Sequence, residues 1–290
     1  MLAKLVSPYR PLLLSLGLLA LLVGLLRSPG LSSFFKRREP YSLEGKSVYF
    51  VFVDRFAQTG DGEASDECAS KAAWCGGTLK GLESQLDYIE GMGFDAVWIT
   101  PVVQQRNGVQ CIDVPGRDKV CQVPYHGFWT ENFYAIDAHF GTPEDLLSLS
   151  LALKERGMGL VLDMIINHVR PIDDAADATA VRPFDKPEHY NMFGAAPGEG
   201  FASYLKHPKV CLPPPGCELG DYTCPGYNPE QVLSGWFYDL ADLNHSHPYV
   251  SSELQNWGRH MVNKYQIDAI GLDTAAYVPQ GFLRALVSVS

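Results

Sequence analysis

The residues most able to do chemistry stand where strand-like segments end. Asp54-Arg55 closes one such segment, Asn167-His168 follows another, and Asp273 sits at the end of a third; a loop carries Tyr125-His126-Gly127-Phe128-Trp129. In a parallel α/β sheet, ligands gather beyond the carboxyl ends of the strands, so side chains there face a common crevice. Each residue also has a plain structural reading: a lone Asp caps a helix and a lone His hydrogen-bonds within the fold. Their combination on one face favours function. Aromatic rings stack on sugar faces, and neutral His and Asn hydrogen-bond to hydroxyls, so carbohydrate is the expected ligand class.

The positioning elements follow from pattern. Segments 47–56 (SVYFVFVDRF), 95–102 (DAVWITPV), 159–166 (GLVLDMII) and 267–274 (IDAIGLDT) are short runs rich in β-branched or aromatic residues and read as buried strands. Thr78 can cap a helix with Leu79, Leu82, Leu86 and Ile89 on one face, ended by Gly91 and Gly93. Thr142-Pro143-Glu144-Asp145 is a strong helix start, with a cap, Pro at the first position and acids at the positive end of the dipole. That helix runs to Gly157, another spans about 250–265, and a further one begins after Pro279. Strands alternate with helices, predicting a parallel sheet. The Pro/Gly-rich stretch from about Arg170 to Pro248 is too long for a connecting loop and reads as an excursion or small subdomain.

Composition narrows the classes. The 290 residues are 46% hydrophobic, and 23 Lys plus Arg face 33 Asp plus Glu for a net charge of −10. Such a chain supports a large core and, lacking a basic block on its globular part, is a poor partner for nucleic acid. Residues 12–26 are an apolar run between Lys4, Arg10 and the basic flank Arg27, Lys36, Arg37, Arg38. Fifteen residues suit a signal-peptide core better than a full span, with a short membrane anchor as the alternative. Seven cysteines include the loop pairs Cys68/Cys75 and Cys111/Cys121, which suggest disulfides in an oxidising compartment; Cys211, Cys217 and Cys224 cannot all pair among themselves. With the sequon Asn244-His245-Ser246, these place the domain in the secretory lumen or outside the cell.

The motifs are also recognisable together. VYFVFVDRFA, CGGTLKGLESQLDYIEGMGFDAVWITPV, YHGFW, FGTPEDLLSL and LDMIINHV, followed by LADL (Leu240 to Leu243) and IDAIGLDTAAYV (Ile267 to Val278), resemble the α-amylase family of glycoside hydrolases, especially fungal secreted members. The resemblance covers most of residues 45–170 and 236–280. It implies a (β/α)₈ TIM barrel, here partial with about four βα units, and a subdomain inserted after the third strand. The domain plan is then 1–40 leader, 41–169 first barrel part, 170–248 insertion and 249–290 barrel continuation. It implies retaining hydrolysis of α-1,4-glucans such as starch or glycogen, with Asp273 matching the nucleophile and Tyr125, His126, Trp129 and His168 at the sugar site. Asn167, Asp242 and the Tyr277 backbone carbonyl match ligands of a structural Ca²⁺, with a third protein ligand expected from 211–224.

Several positions depart from the family. Gly271 stands where the family has an Arg two residues before the nucleophile, Ala276-Tyr277 replaces a Lys-His pair, and Phe128 replaces a Tyr. Retaining hydrolysis needs two carboxyl groups, and the family's acid/base Glu and second Asp follow strands five and seven, beyond the segments identified here. The sequence therefore predicts a glucan site that is catalytically silent in these 290 residues. The alternative is a non-catalytic, membrane-anchored relative that binds glucan or resembles transporter heavy chains.

Overall fold

The computed structural model describes residues 41–60, 68, 70, 73–112 and 120–287. The leader and its apolar run 12–26 lie outside the described residues. Among those described, no helix is long and apolar enough to cross a membrane.

Among the described residues ten strands follow one another: β1 (Val48–Val51), β2 (Ala96–Ile99), β3 (Val103–Gln105), β4 (Gln110–Ile112), β5 (Val120–Gln122), β6 (Thr130–Ile136), β7 (Gly159–Met164), β8 (His168–Pro171), β9 (Leu240–Asp242) and β10 (Ala269–Leu272). Four of them make one parallel sheet in the order β1-β2-β7-β10. These are the four segments that their β-branched and aromatic content picked out. The register sets Val48 beside Ala96, Ala96 beside Gly159, and Asp163 beside Gly271. β7 is buried along its whole length, as expected of a strand paired on both edges and covered on both faces. β1 and β10 each pair on one edge, and on and just after β1 Phe50 and Phe52 stay 47% and 37% exposed.

The connecting helices pack on the sheet through single apolar faces. Thr142 caps the Pro143–Glu155 helix: its side chain accepts from the Asp145 amide, and Asp145 Oδ2 accepts from the Thr142 amide at 2.9 Å. Leu146, Leu149 and Leu153, at helical spacing, are fully buried. The Pro248–Tyr265 helix buries Val250, Leu254, Trp257, Met261 and Tyr265 in the same way. The helix expected after Thr78 is two pieces, Leu79–Ser84 and Leu86–Gly91, because Gln85 leaves helical geometry at φ −104°, ψ 11°. Leu82, Leu86 and Ile89 remain buried across the break, so periodicity alone could not reveal it.

The remaining strands build the rim. β3 pairs with β6, β4 with β5, and β8 with β9, all antiparallel. Pairing of His168 with Asp242 brings together the two ends of the Pro/Gly-rich excursion. Within it lie short helices at Phe201–Tyr204 and Pro229–Ser234. Buried Arg170 ties the start of the excursion to β6, with Nε 2.8 Å from Glu131 and its two terminal nitrogens 2.7 and 2.8 Å from Asp177. Disulfides join Cys68–Cys75, Cys111–Cys121 and Cys217–Cys224, leaving Cys211 a buried thiol.

Removing the cap hydroxyl with Thr142→Ala should cost about 1 kcal/mol and lower Tm by about 2–4 °C for a domain of this size, measured by thermal unfolding.

Candidate functional site

A cavity of about 290 Å³ opens at the carboxyl end of the sheet, and its walls include Gln122, His126, Trp129, His168, Tyr238 and Asp273. Three of the sequence candidates for sugar contact, His126, Trp129 and His168, therefore converge on Asp273. Tyr125 does not line this cavity. Its ring lies beneath the Arg55 guanidinium at 3.8 Å, a cation–π contact. Asp54 is likewise structural. Its carboxylate accepts from the Cys75 and Gly76 amides at 2.9 and 3.0 Å and pairs with Arg55, anchoring the first disulfide loop.

The loop that carries His126 is held at close quarters. A Cβ on Gly127 would lie 2.1 Å from the Pro101 carbonyl oxygen, and its φ is +84°, so only glycine allows the turn. The Phe128 amide donates to His126 Nδ1 at 2.9 Å, and Trp129 stands edge-on to the imidazole at 4.8 Å. Burial, with help from the neighbouring His168, pushes the His126 pKa down to about 3. Burial pushes His168 down to about 4, and its ring stacks on Phe237 at 5.8 Å. Both imidazoles are thus neutral hydrogen-bonding groups at physiological pH.

Asp273 leaves β10 with its amide bonded to the Met164 carbonyl at 3.2 Å. The next residue, Thr274, has φ +50° and Tyr238 has φ +57°. A β-branched residue in the left-handed region is strained, and such strain gathers at functional sites. Burial raises the Asp273 pKa above the ordinary carboxylate value.

Directly across the sheet from Gly271 is Asp163. It is buried, its Oδ1 makes no hydrogen bond, and its pKa rises to about 7, through burial first and the Asp273 charge second. The Arg expected two residues before the nucleophile has no room. A Cβ at 271 would meet Trp98 Cζ2 at 2.2 Å, so the indole fills the space that a longer residue 271 would enter. Asp163 and Trp98 both sit in motifs readable from sequence, but their contact depends on strand register, which no motif displays. Leu240, also in the cavity wall, opens the LADL motif, whereas Gln122, Phe237 and Tyr238 carry no sequence signal that marks them.

Two of the residues matched to a calcium site, Asn167 and Asp242, lie on segments that meet at the base of the excursion. Asn167 Oδ1 is fully buried without a hydrogen bond, and the Leu243 amide donates to the Asn167 backbone carbonyl at 2.9 Å. Asp242 is fully buried and its carboxyl is pushed well above the usual range by that burial. An orphaned amide oxygen and a carboxylate without a cationic partner, carried on adjoining segments, are oxygen donors that a hard cation would satisfy. Their chemistry therefore fits Ca²⁺. The side chain touching Asp242 is Asn191, whose amide donates to Oδ2 at 2.7 Å. From 211–224 the group that interacts with Asp242 is the Cys211 thiol, raised to about 12 by burial, which is a poor ligand for a hard cation. Tyr277 closes a short 3₁₀ turn with its ring 5.4 Å from Phe237. Among the described residues, no three His, Cys, Asp or Glu side chains group as a metal site.

Two predictions concern the carboxylates. Asp163 keeps its proton when folded up to about pH 7, whereas an unfolded Asp loses it near pH 4. The unfolded state thus binds fewer protons, and stability should fall as pH rises from about 4 to 7. Asp163→Asn should flatten that slope in Tm measured against pH. Gly271→Arg should destabilise the chain by about 1–3 kcal/mol through overpacking. Combining it with Trp98→Ala should recover much of that loss, and the new guanidinium should move the Asp163 transition to lower pH.

The comparisons with known proteins agree with this geometry. Residues 50–284 match the family model for the α-amylase catalytic domain. An α-amylase of Saccharomycopsis fibuligera is 31% identical over 281 residues, covering 94% of this chain and 49% of that protein. α-Amylase 2 of Schwanniomyces occidentalis is 32% identical over 250 residues, covering 84% and 42%. Among solved structures, an α-amylase from Malbranchea cinnamomea superposes with TM-score 0.64 at 33% identity, covering 84% of this chain and 45% of that one. The α-amylase of Geobacillus thermoleovorans, complexed with acarbose, gives TM-score 0.59 at 29% identity, covering 86% and 45%. The chain spans about half the length of the relatives it matches. With the family model covering most of its residues and its four parallel strands ending at the cavity, this chain belongs to the α-amylase family of glycoside hydrolases.

Proposed function

We propose that the cavity binds α-1,4-linked glucans of the starch or glycogen type, with Asp273 in the nucleophile's position, and that these 290 residues hold the sugar without cleaving it. The observation that carries the reading is the convergence of neutral His126, neutral His168 and Asp273 on one aromatic-walled cavity. Neutral His168 exchanges a hydrogen bond with a hydroxyl, His126, whose two ring nitrogens meet the Phe128 amide and Gln122, shapes the wall, Trp129 and Phe237 supply apolar surface, and Asp273 accepts from a hydroxyl or faces an anomeric carbon. Acarbose in the Geobacillus relative supports the same ligand class.

Cleavage asks for more. A retaining mechanism places a proton donor about 5 Å from the nucleophile, across the scissile bond. Asp273 is the one carboxyl group among the described residues lining the cavity. Asp163 is protonated up to about pH 7 but sits on the neighbouring strand outside the cavity wall, so it has no path to a leaving oxygen. Nor does any guanidinium stand at 271 to keep Asp273 ionised.

Asn167 Oδ1 and the Asp242 carboxylate, with the Tyr277 carbonyl, would hold the family's Ca²⁺. That ion would neutralise Asp242 and brace the excursion against β7. Three disulfides and the fungal relatives support secretion. The domain then acts in the secretory lumen or outside the cell, through a leader that is cleaved or retained as an anchor.

Titration calorimetry with maltoheptaose tests the reading. The chain should bind, and His168→Ala and Asp273→Asn should each weaken binding about tenfold, as for a hydrogen bond involving a polar or charged group. Incubation with soluble starch should release no reducing ends above background. Clear release overturns the silence, and absence of binding overturns the glucan assignment.

A further inference from the structure

Gln122 is the last residue of β5, in the two-stranded sheet that Cys111–Cys121 cross-links. Its side-chain amide reaches the cavity and places one terminal atom 3.0 Å from His126 Nε2. The other ring nitrogen decides what this contact is. The Phe128 amide donates to Nδ1 at 2.9 Å, and a backbone N–H can only donate. Nδ1 is therefore an acceptor, and in a neutral ring the proton is on Nε2. An Nε2–H beside a side-chain amide requires the amide oxygen. The two ends of a Gln amide are told apart by their partners rather than their shape, so Gln122 turns Oε1 to the imidazole and its NH2 away from it. That outer end has no protein hydrogen-bond partner among the described residues, and the residue lines the cavity.

We infer that Gln122 is a sugar-contacting residue that relays the His126 N–H outward: Nε2–H donates to Gln122 Oε1, and the Gln122 NH2 donates to an oxygen of the bound glucan. The ring donor is consumed within the protein, and the sugar meets an amide donor displaced toward the β4–β5 hairpin. This makes Gln122 a determinant of which sugar oxygen is read. The disulfide beside it fixes the hairpin, so the amide reaches the ring from a braced strand end rather than from a free loop. The inference rests on the glucan reading of the cavity and adds the contact that orients the sugar within it.

The experiment has two independent readouts on the full chain. Ring ¹⁵N chemical shifts of His126, measured without ligand, should show the Nε2–H tautomer in the native chain and in Gln122→Glu, whose carboxylate still accepts from the ring. Maltoheptaose affinity, measured by calorimetry, should fall about fivefold in Gln122→Ala, the size of one hydrogen bond. It should stay low in Gln122→Glu, which holds the ring but has no N–H to offer. An Nδ1–H tautomer in the native chain overturns the relay. Native-like affinity in Gln122→Ala overturns the sugar contact, and native-like affinity in Gln122→Glu reduces Gln122 to a support for the ring. A native chain that binds no maltoheptaose overturns the glucan reading and the sugar contact with it, while the tautomer measurement still decides the His126–Gln122 bond.

Discussion

Strand β7 is bonded on both edges, to β2 and to β10, and is buried along its length. Several polar groups of the site are referred to it. Asp163 lies within it, Asn167 and His168 follow its end, Asp273 is bonded through its amide to Met164, and Asp242 is paired with His168. A strand so enclosed has no freedom to slip, because a one-residue shift would exchange the side chains of its two buried faces and break the packing on both. That rigidity lets the protein keep unsatisfied polar atoms, such as Asn167 Oδ1 and Asp163 Oδ1, in fixed positions that a looser framework would collapse around.

Burial then sets the chemistry. Both cavity histidines are driven to the neutral form and both Asp163 and Asp273 toward the protonated form. All four shifts share one first cause, removal of water from the charged state. The result is a pocket that presents hydrogen-bonding groups with little net charge, which suits a polyhydroxylated neutral ligand better than a phosphate or an amine. The exchange of Arg for Gly at 271 fits the same pattern. The indole of Trp98 takes up the space, and an apolar contact replaces the countercharge that would have kept the carboxylates ionised.

The rim is built by different means. Three antiparallel pairs and three disulfides do there what the parallel sheet does below. Arg170, fully buried and paired with Glu131 and Asp177, joins the excursion to β6. A buried charge of this kind is costly unless fully partnered, and its several bonds make the junction specific in geometry.

The amino-acid sequence alone determined the four parallel strands, the capped helix at Thr142, two of the three disulfides, the family and the set His126, Trp129, His168 and Asp273. Each of these is written in local pattern: β-branched runs, a cap followed by Pro and acids, close cysteine pairs, or contiguous motifs. Tertiary structure decided the rest. The break at Gln85, the pairing of Cys217 with Cys224 rather than Cys211, the turning of Tyr125 toward Arg55, the confrontation of Trp98 with position 271 and the reach of Gln122 to His126 all depend on residues meeting through strand register or loop packing. Local pattern records what a residue is next to along the chain. These contacts arise from what the folded sheet sets beside it, and that spacing exists only once the register has been chosen.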